Sequence, residues 1–261
     1  MTTTQTITQK KGVSGSTLKI IACITMLLDH IGASILEPLV FRQMEAAGIT
    51  TWNYETFVTA CPGIGIPYAL LRCIGRIAFP IFCFLLVEGF LHTKNVWKYA
   101  FRLFLFALIS EVPFDLAFYG KVFYRESQNV YFTLFLGLIV ILMLHSIEIK
   151  FQNQWFPRII LKLLAIFIGA SLAELLHTDY GLTGVLVITI MYILRNNRVS
   201  EMCCGCLILT AMSSLEIFSM VNIPLVSRYN GERGLNLKYF FYAFYPIHLL
   251  LLYFIGQIIG I

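Results

Sequence analysis

Lys19 and His30 form the first pair of residues in this 261-residue chain that could do chemistry together. Eleven positions along a helix are about three turns, so both side chains leave nearly the same face, roughly 16 Å apart along the axis. An ammonium binds anions, and an imidazole, with its pKa near neutrality, exchanges protons. Asp29 precedes the histidine and could orient or charge it through a neighbour. A second histidine, His248, ends the run Tyr245-Pro246-Ile247-His248 and rivals His30 as a base. Arg72 with Arg76, Glu88 with His92, and Glu111 with Asp115 each fall at i, i+4 on one helix face. The same residues have quieter readings. A lysine can snorkel to the headgroups, and a histidine can bond across helices. Arg72 and Arg76 can pair with Glu111 and Asp115 as a lattice fixing two helices.

The elements that must position these groups are membrane helices. The chain is 58% hydrophobic and 13% charged, with a mean hydropathy of +0.79; a soluble domain carries roughly 25% charged residues. Several apolar stretches reach the roughly 20 residues needed to cross a bilayer. The 22 Phe and 13 Tyr suit a lipid-facing protein with interfacial aromatics. Spans are expected near 17–36, 69–91, 97–119, 130–147, 158–176, 180–194, 203–223 and 239–260. The fold class is therefore all-α, a polytopic transmembrane helix bundle with about eight spans. A polar N-terminal tail, 1–16, precedes a single transmembrane domain, 17–261. No small-residue cleavage site follows a short apolar run, so the first span is read as retained. The connection from Glu37 to Ala69 contains Pro62-Gly63 and Gly65-Ile66-Pro67, turn signals that predict an ordered loop or a short interfacial helix. Cys203, Cys204 and Cys206 have the wrong spacing for zinc and no nearby His, so no metal is expected. The net charge of +5 needs no nucleic-acid partner, because Lys and Arg sit in loops and at helix ends.

With the N-terminus inside, eight spans place 11 Lys and Arg on the cytoplasmic side and 8 opposite, a bias towards N-in. The same parity sets Arg72 and Arg76 level with Glu111 and Asp115. It puts His30, the His177–Asp179 turn, the loop Tyr229-Asn230-Gly231-Glu232-Arg233-Gly234 and Lys238 in that half. Lys19, Glu88, His92, Lys94, Lys98 and Arg102 gather at the other end. Charges inside a bilayer cost several kcal/mol unless paired or solvated, so two polar poles call for a ligand, a proton path or a reaction.

The stretches LKIIACITMLLDHIG, LRCIGRIAFPIFCFLLVEGFLHTKNVWKYAFRLFLFALISEVPFDLAF, DYGLTGVL, RYNGERG and KYFFYAFYPIHLLLL resemble the TraX family of membrane proteins, from Leu18 to the C-terminus. That family is associated with N-terminal acetylation of conjugative pilin. It is similar to a larger class of membrane acyltransferases that take acyl groups from coenzyme A. Their first helix carries a basic residue, ten intervening residues and a catalytic histidine, the pattern of Lys19 and His30. The resemblance implies a multi-pass protein of the bacterial plasma (inner) membrane with acetyl-CoA as donor. His30 would be the base or carry the acetyl group transiently, with Asp29 tuning it and His248 as its rival. Lys19, with Lys94, Lys98 or Arg102, would meet the phosphates of the donor. Arg72, Arg76, Glu88, Glu111, Asp115, Asp179, Tyr229, Asn230, Arg233 and Tyr245 would contact the acceptor, a pilin amine or a cell-envelope glycan hydroxyl. A non-catalytic pilus or envelope assembly factor and a small-solute transporter are the alternatives. The absence of a visible internal repeat counts against the transporter.

Overall fold

A computed structural model describes residues 11–51, 53–236 and 238–261, without the side chains of residues 54 and 238. Among the described residues the chain is helical, with two isolated β-bridges and no strand. Helix α1 (Gly15–Ile31) starts on a Ser14 cap, whose Oγ accepts from the Thr17 N–H at 3.2 Å. Its residues Leu18, Ala22 and Met26 are buried in the main core, which is the 3.6-residue spacing of one helix face. A π-helical turn (Gly32–Leu36) follows Ile31, and α2 (Glu37–Ala46) continues from it. Next come α3 (Tyr54–Ala60), α4 (Pro62–Gly75), α5 (Ala78–His92), α6 (Val96–Tyr119), α7 (Val130–Lys150), α8 (Trp155–Leu175) and α9 (Gly181–Ile193). Asn95 and Asn129 cap α6 and α7 through their side-chain oxygens, which satisfies orphan N–H groups at both starts.

Among the described residues, five helices or helix runs are long and apolar enough to cross a membrane: Gly15–Ala46, Pro62–His92, Val130–Lys150, Trp155–Leu175 and Tyr239–Ile259. Helix α6 is comparably long, with 24 residues, but carries Lys98, Arg102, Glu111 and Asp115. The outer face of α8, with Trp155, Phe156, Leu163 and Phe167 exposed, has the composition of a lipid-facing surface. The protein is a multi-pass membrane helix bundle.

The connection 37–69 is more helical than its turn residues predict. The first helix runs on through the π turn into α2, which ends at Ala46, and α3 and the first half of α4 make 54–60 and 62–69 helical. Val40, Met44, Phe57, Cys61 and Tyr68 form a small separate apolar cluster there. Local burial, absent from a reading of Pro and Gly alone, pulls the segment into helices.

The expected span 203–223 is not one helix. Helix α10 (Arg198–Met212) stops at Ser213, whose backbone is extended (φ −147°, ψ 131°). A 3-10 helix (Ser214–Val221) and α11 (Asn222–Ser227) then fold back along α10. Ser213, Ser214, Glu216, Ser219 and Asn222 make a continuous span costly, and the return path gives two of them partners. Asn222 Nδ2 donates to the Ile77 carbonyl at 3.0 Å, an oxygen freed where α4 gives way to α5. Glu216 reaches Arg76.

The hairpin reverses every side assignment that follows it. The loop before α12 (Lys238–Ile259) lies at the Lys19 end, where Arg198 Nη1 donates to the Tyr229 carbonyl at 2.8 Å. Residues 13–16 bond to the same loop: Val13 N–H to Arg228 O at 2.9 Å, Gly15 N–H to Glu232 O at 2.8 Å, and Ser16 N–H to Arg233 O at 2.9 Å. The expected place of Tyr229, Asn230, Arg233 and Lys238 in the Arg76 half is thus overturned. Of the 18 Lys and Arg among the described residues, 13 then stand at the Lys19 end and 5 at the other.

Candidate functional site

A cavity of about 500 Å³ runs beside α1 from Gly15 and Lys19 down to Met26. Lys19 and Met26 are seven residues apart, so the depth along the helix is roughly 10 Å. Exposed His92, Gly231 and Arg233 stand at its mouth. Lys19, Arg102 and Arg233 give the mouth its positive charge, and Glu88 is the carboxylate on its wall. Deeper, Phe82, Leu86, Leu103 and Leu134 make an apolar sleeve, and Met26, Tyr131 and Tyr245 lie towards the far end. Lys19 Nζ sits 5.5 Å from the Phe241 ring centre, and the Arg102 guanidinium 5.8 Å from that of Tyr99. Among the described residues, no carboxylate lies within 4.0 Å of the Lys19, Arg102 or Arg233 cationic groups. Burial, with Glu88 beside it, pushes the Tyr229 phenol up to about 12, so it stays a hydrogen-bond donor at neutral pH.

His30 and His248 do not line this cavity; they lie immediately behind Tyr245. The ring centres of His30 and His248 are 4.9 Å apart and nearly parallel, with His30 Nδ1 2.6 Å from His248 Nε2. Tyr245 is edge-on to both, at 5.9 Å from His30 and 5.6 Å from His248. Phe118 packs edge-on against His30 at 5.3 Å. His248 also bonds through Nδ1 to the carbonyl of Phe244, one turn earlier, at 2.7 Å. The two histidines that compete for one role in the sequence are therefore a single hydrogen-bonded pair.

Beyond the pair lies a compact ionic cluster. Asp29 Oδ1 accepts from Arg72 Nη1 at 2.8 Å and from Arg76 Nη2 at 2.6 Å, and Arg76 Nη1 donates to Glu216 Oε1 at 3.0 Å. Gly75 makes room for this contact: a Cβ there would stand 2.2 Å from Asp29 Oδ1. The expected lattice of Arg72 and Arg76 with Glu111 and Asp115 does not form. Glu111 accepts from the backbone N–H and side-chain amide of Asn129, and Asp115 from the Tyr124 N–H at 2.8 Å. These two carboxylates anchor the α6–α7 loop, because backbone donors lie closer to them than any arginine.

Asp179 occupies a turn held between two left-handed non-glycine residues, His177 (φ 51°) and Tyr180 (φ 63°). The turn persists because it is bonded on both sides: Gln128 N–H to His177 O at 2.9 Å and Asp179 N–H to Gln128 O at 2.8 Å. Tyr180 stacks on Phe79 at 3.7 Å. Burial raises the Asp179 carboxyl to about 6, against the pull of Arg76.

The cavity thus gathers Lys19, Arg102, Glu88, Tyr229, Arg233 and Tyr245. Lys98 shares a surface groove with Asn95, Trp97, Phe101 and Arg102, and Lys94 is exposed beside it. Asn230 caps the turn below the N-terminal segment, accepting from the Glu232 N–H at 2.9 Å. Sequence reasoning missed Glu216 and the aromatic wall of Tyr99, Tyr131, Phe241 and Tyr242. An acidic residue inside an apolar run was the available signal for Glu216. The tyrosines have the composition of an interfacial belt, which hid them.

The sequence model of the family described as TraX protein matches residues 14–256. The "Probable fimbrial assembly protein FimC, serogroup H1" of Dichelobacter nodosus is 29% identical, over 90% of this chain and 92% of its own. An uncharacterized protein of Rickettsia prowazekii (strain Madrid E) is 22% identical, over 84% of this chain and 71% of its own. No solved structure matches.

Proposed function

The chain belongs to the TraX family, and from that premise we propose that it is an integral membrane acetyltransferase, moving an acetyl group from acetyl-CoA to an acceptor across the bacterial inner membrane. One observation carries the reading: a cavity with a cationic mouth and an apolar sleeve ends against a tyrosine, with a histidine pair directly behind it. Lys19, Arg102 and Arg233 suit the phosphates of coenzyme A. The sleeve suits its pantetheine arm. Thirteen of the 18 described Lys and Arg at the mouth end support a cytoplasmic N-terminus, the side on which acetyl-CoA is found.

In this reading Tyr245 turns aside to bring the thioester to His30. His30 takes the proton from the acceptor amine or hydroxyl as its nitrogen or oxygen attacks the thioester carbonyl. The carbon–sulfur bond of the tetrahedral intermediate then breaks. The imidazolium returns the proton to the departing thiolate, giving acetylated acceptor and free coenzyme A. Asp29 acts at one remove, holding Arg72 and Arg76 beside the histidine.

The relative's name favours a second reading, an assembly factor that catalyses nothing. Purified protein, labelled acetyl-CoA and envelope acceptor material separate the two. The enzyme reading expects label transfer that falls about 10²-fold or more in His30→Ala. A folded wild-type protein that transfers nothing, or a His30→Ala variant with full turnover, overturns it.

A further inference from the structure

We infer that His248 is a positioning residue that holds the proton of His30 on Nδ1 and so presents the lone pair of His30 Nε2 to the reacting group. This deepens the acyl-transfer reading and rests on it for its consequence, but its geometric core stands apart from it. The Phe244 carbonyl can only accept a hydrogen bond, so the 2.7 Å contact requires a proton on His248 Nδ1. In a neutral imidazole the other nitrogen is then a bare acceptor. His248 Nε2 lies 2.6 Å from His30 Nδ1, so His30 donates there, and its own Nε2 is left unprotonated. The proton order therefore runs from a backbone oxygen on α12, through one ring, to the far nitrogen of the second.

An imidazole free in water prefers the opposite tautomer, with its proton on Nε2. His248 reverses that default. The orientation is held without Tyr245: His248 is 4% exposed and stacked on Phe244, while Phe118 is edge-on to His30. The histidine that the run Tyr245-Pro246-Ile247-His248 offers as a second base has both nitrogens engaged, one to a carbonyl and one to His30. A base needs a free lone pair aimed at its substrate, and of the two rings His30 keeps one.

The test is nitrogen-15 spectroscopy of histidine-labelled protein in lipid nanodiscs, with the His30 signals assigned by their loss in His30→Gln. Wild-type His30 is expected to show a protonated Nδ1 and a bare Nε2. His248→Gln, which sets an amide oxygen near the position of Nε2, should keep that tautomer and most of kcat. His248→Leu should shift His30 towards the Nε2-protonated form and lower kcat at least about tenfold, with the KM for acetyl-CoA unchanged. A bare Nδ1 in wild-type His30, or an unchanged tautomer in His248→Leu, overturns the proposal. Should His248→Leu not fold, His248→Gln decides, because loss of the Nδ1 proton there contradicts the assignment and its retention supports it. Tautomers as expected in a protein that transfers no acetyl group would sink the enzyme reading and leave the proton order standing.

Discussion

The two ends of α1 treat positive charge in opposite ways. At the Lys19 end, Lys19, Arg102 and Arg233 line a cavity and face rings or an amide. At the His30 end, Arg72 and Arg76 are held by Asp29 and Glu216 within 3.0 Å. Cations matched inside the protein build structure. Cations left to face a cavity can meet a ligand's phosphates. Basic residues read alike in a sequence, and it is the partner that separates the two roles.

That contrast can be broken first by topology, where the outcome is all or none. Single cysteines placed at Ser227 and Asn236, in a chain whose own cysteines are replaced, should be labelled from the same side as one at Lys11, and one at Lys121 from the opposite side. Labelling of 227 and 236 with 121 would remove the hairpin and the charge separation with it. Asp29→Asn comes next. It removes the carboxylate that Arg72 and Arg76 share, and breaking one side of a buried ion pair costs roughly 3–5 kcal/mol, an upper bound for this part-buried cluster. Thermal unfolding in detergent should fall well below that of Lys19→Ala; equal melting temperatures would mean that the two ends do not differ as described. Lys19→Ala should keep the fold and raise the KM for acetyl-CoA about tenfold, or ~1.4 kcal/mol. An unchanged KM would take the donor away from this cavity.

The smallest effect concerns the Asp179 turn. Its folded carboxyl titrates near 6, above the ordinary value for Asp of about 3.9. The folded state therefore favours the protonated form. The stabilising contribution is complete below about pH 3.9 and is lost as pH rises through about 6. Asp179→Asn should flatten the stability profile between those values, as read by denaturant midpoints; an unchanged slope would place the titration elsewhere.

What was legible in the sequence was local. The shared face of Lys19 and His30 follows from helical periodicity, and α5, α7, α8, α9 and α12 follow from apolar length. The partners of Arg72 and Arg76 were not legible, because Glu216 reaches Arg76 only through a reversal at Ser213 that hydropathy averages away. Parity then carried that single miscount into every later loop, which set Tyr229 and Arg233 at the wrong end. The His30–His248 pair spans 218 positions, and no periodic pattern links residues so far apart. The tyrosine wall was visible as composition but not as a surface.

The bonding of residues 13–16 to the segment 228–235 sets the order in which the chain is assembled. Residues 13–16 wait for a stretch more than two hundred residues later before their backbone groups find these partners. Closing so long a loop is slow compared with forming a local helix. The pocket is thus completed late, when α12 arrives from the ribosome carrying Phe241, Tyr242 and Tyr245, and a nascent chain cut short before that point holds Lys19 and His30 without the wall that α12 supplies.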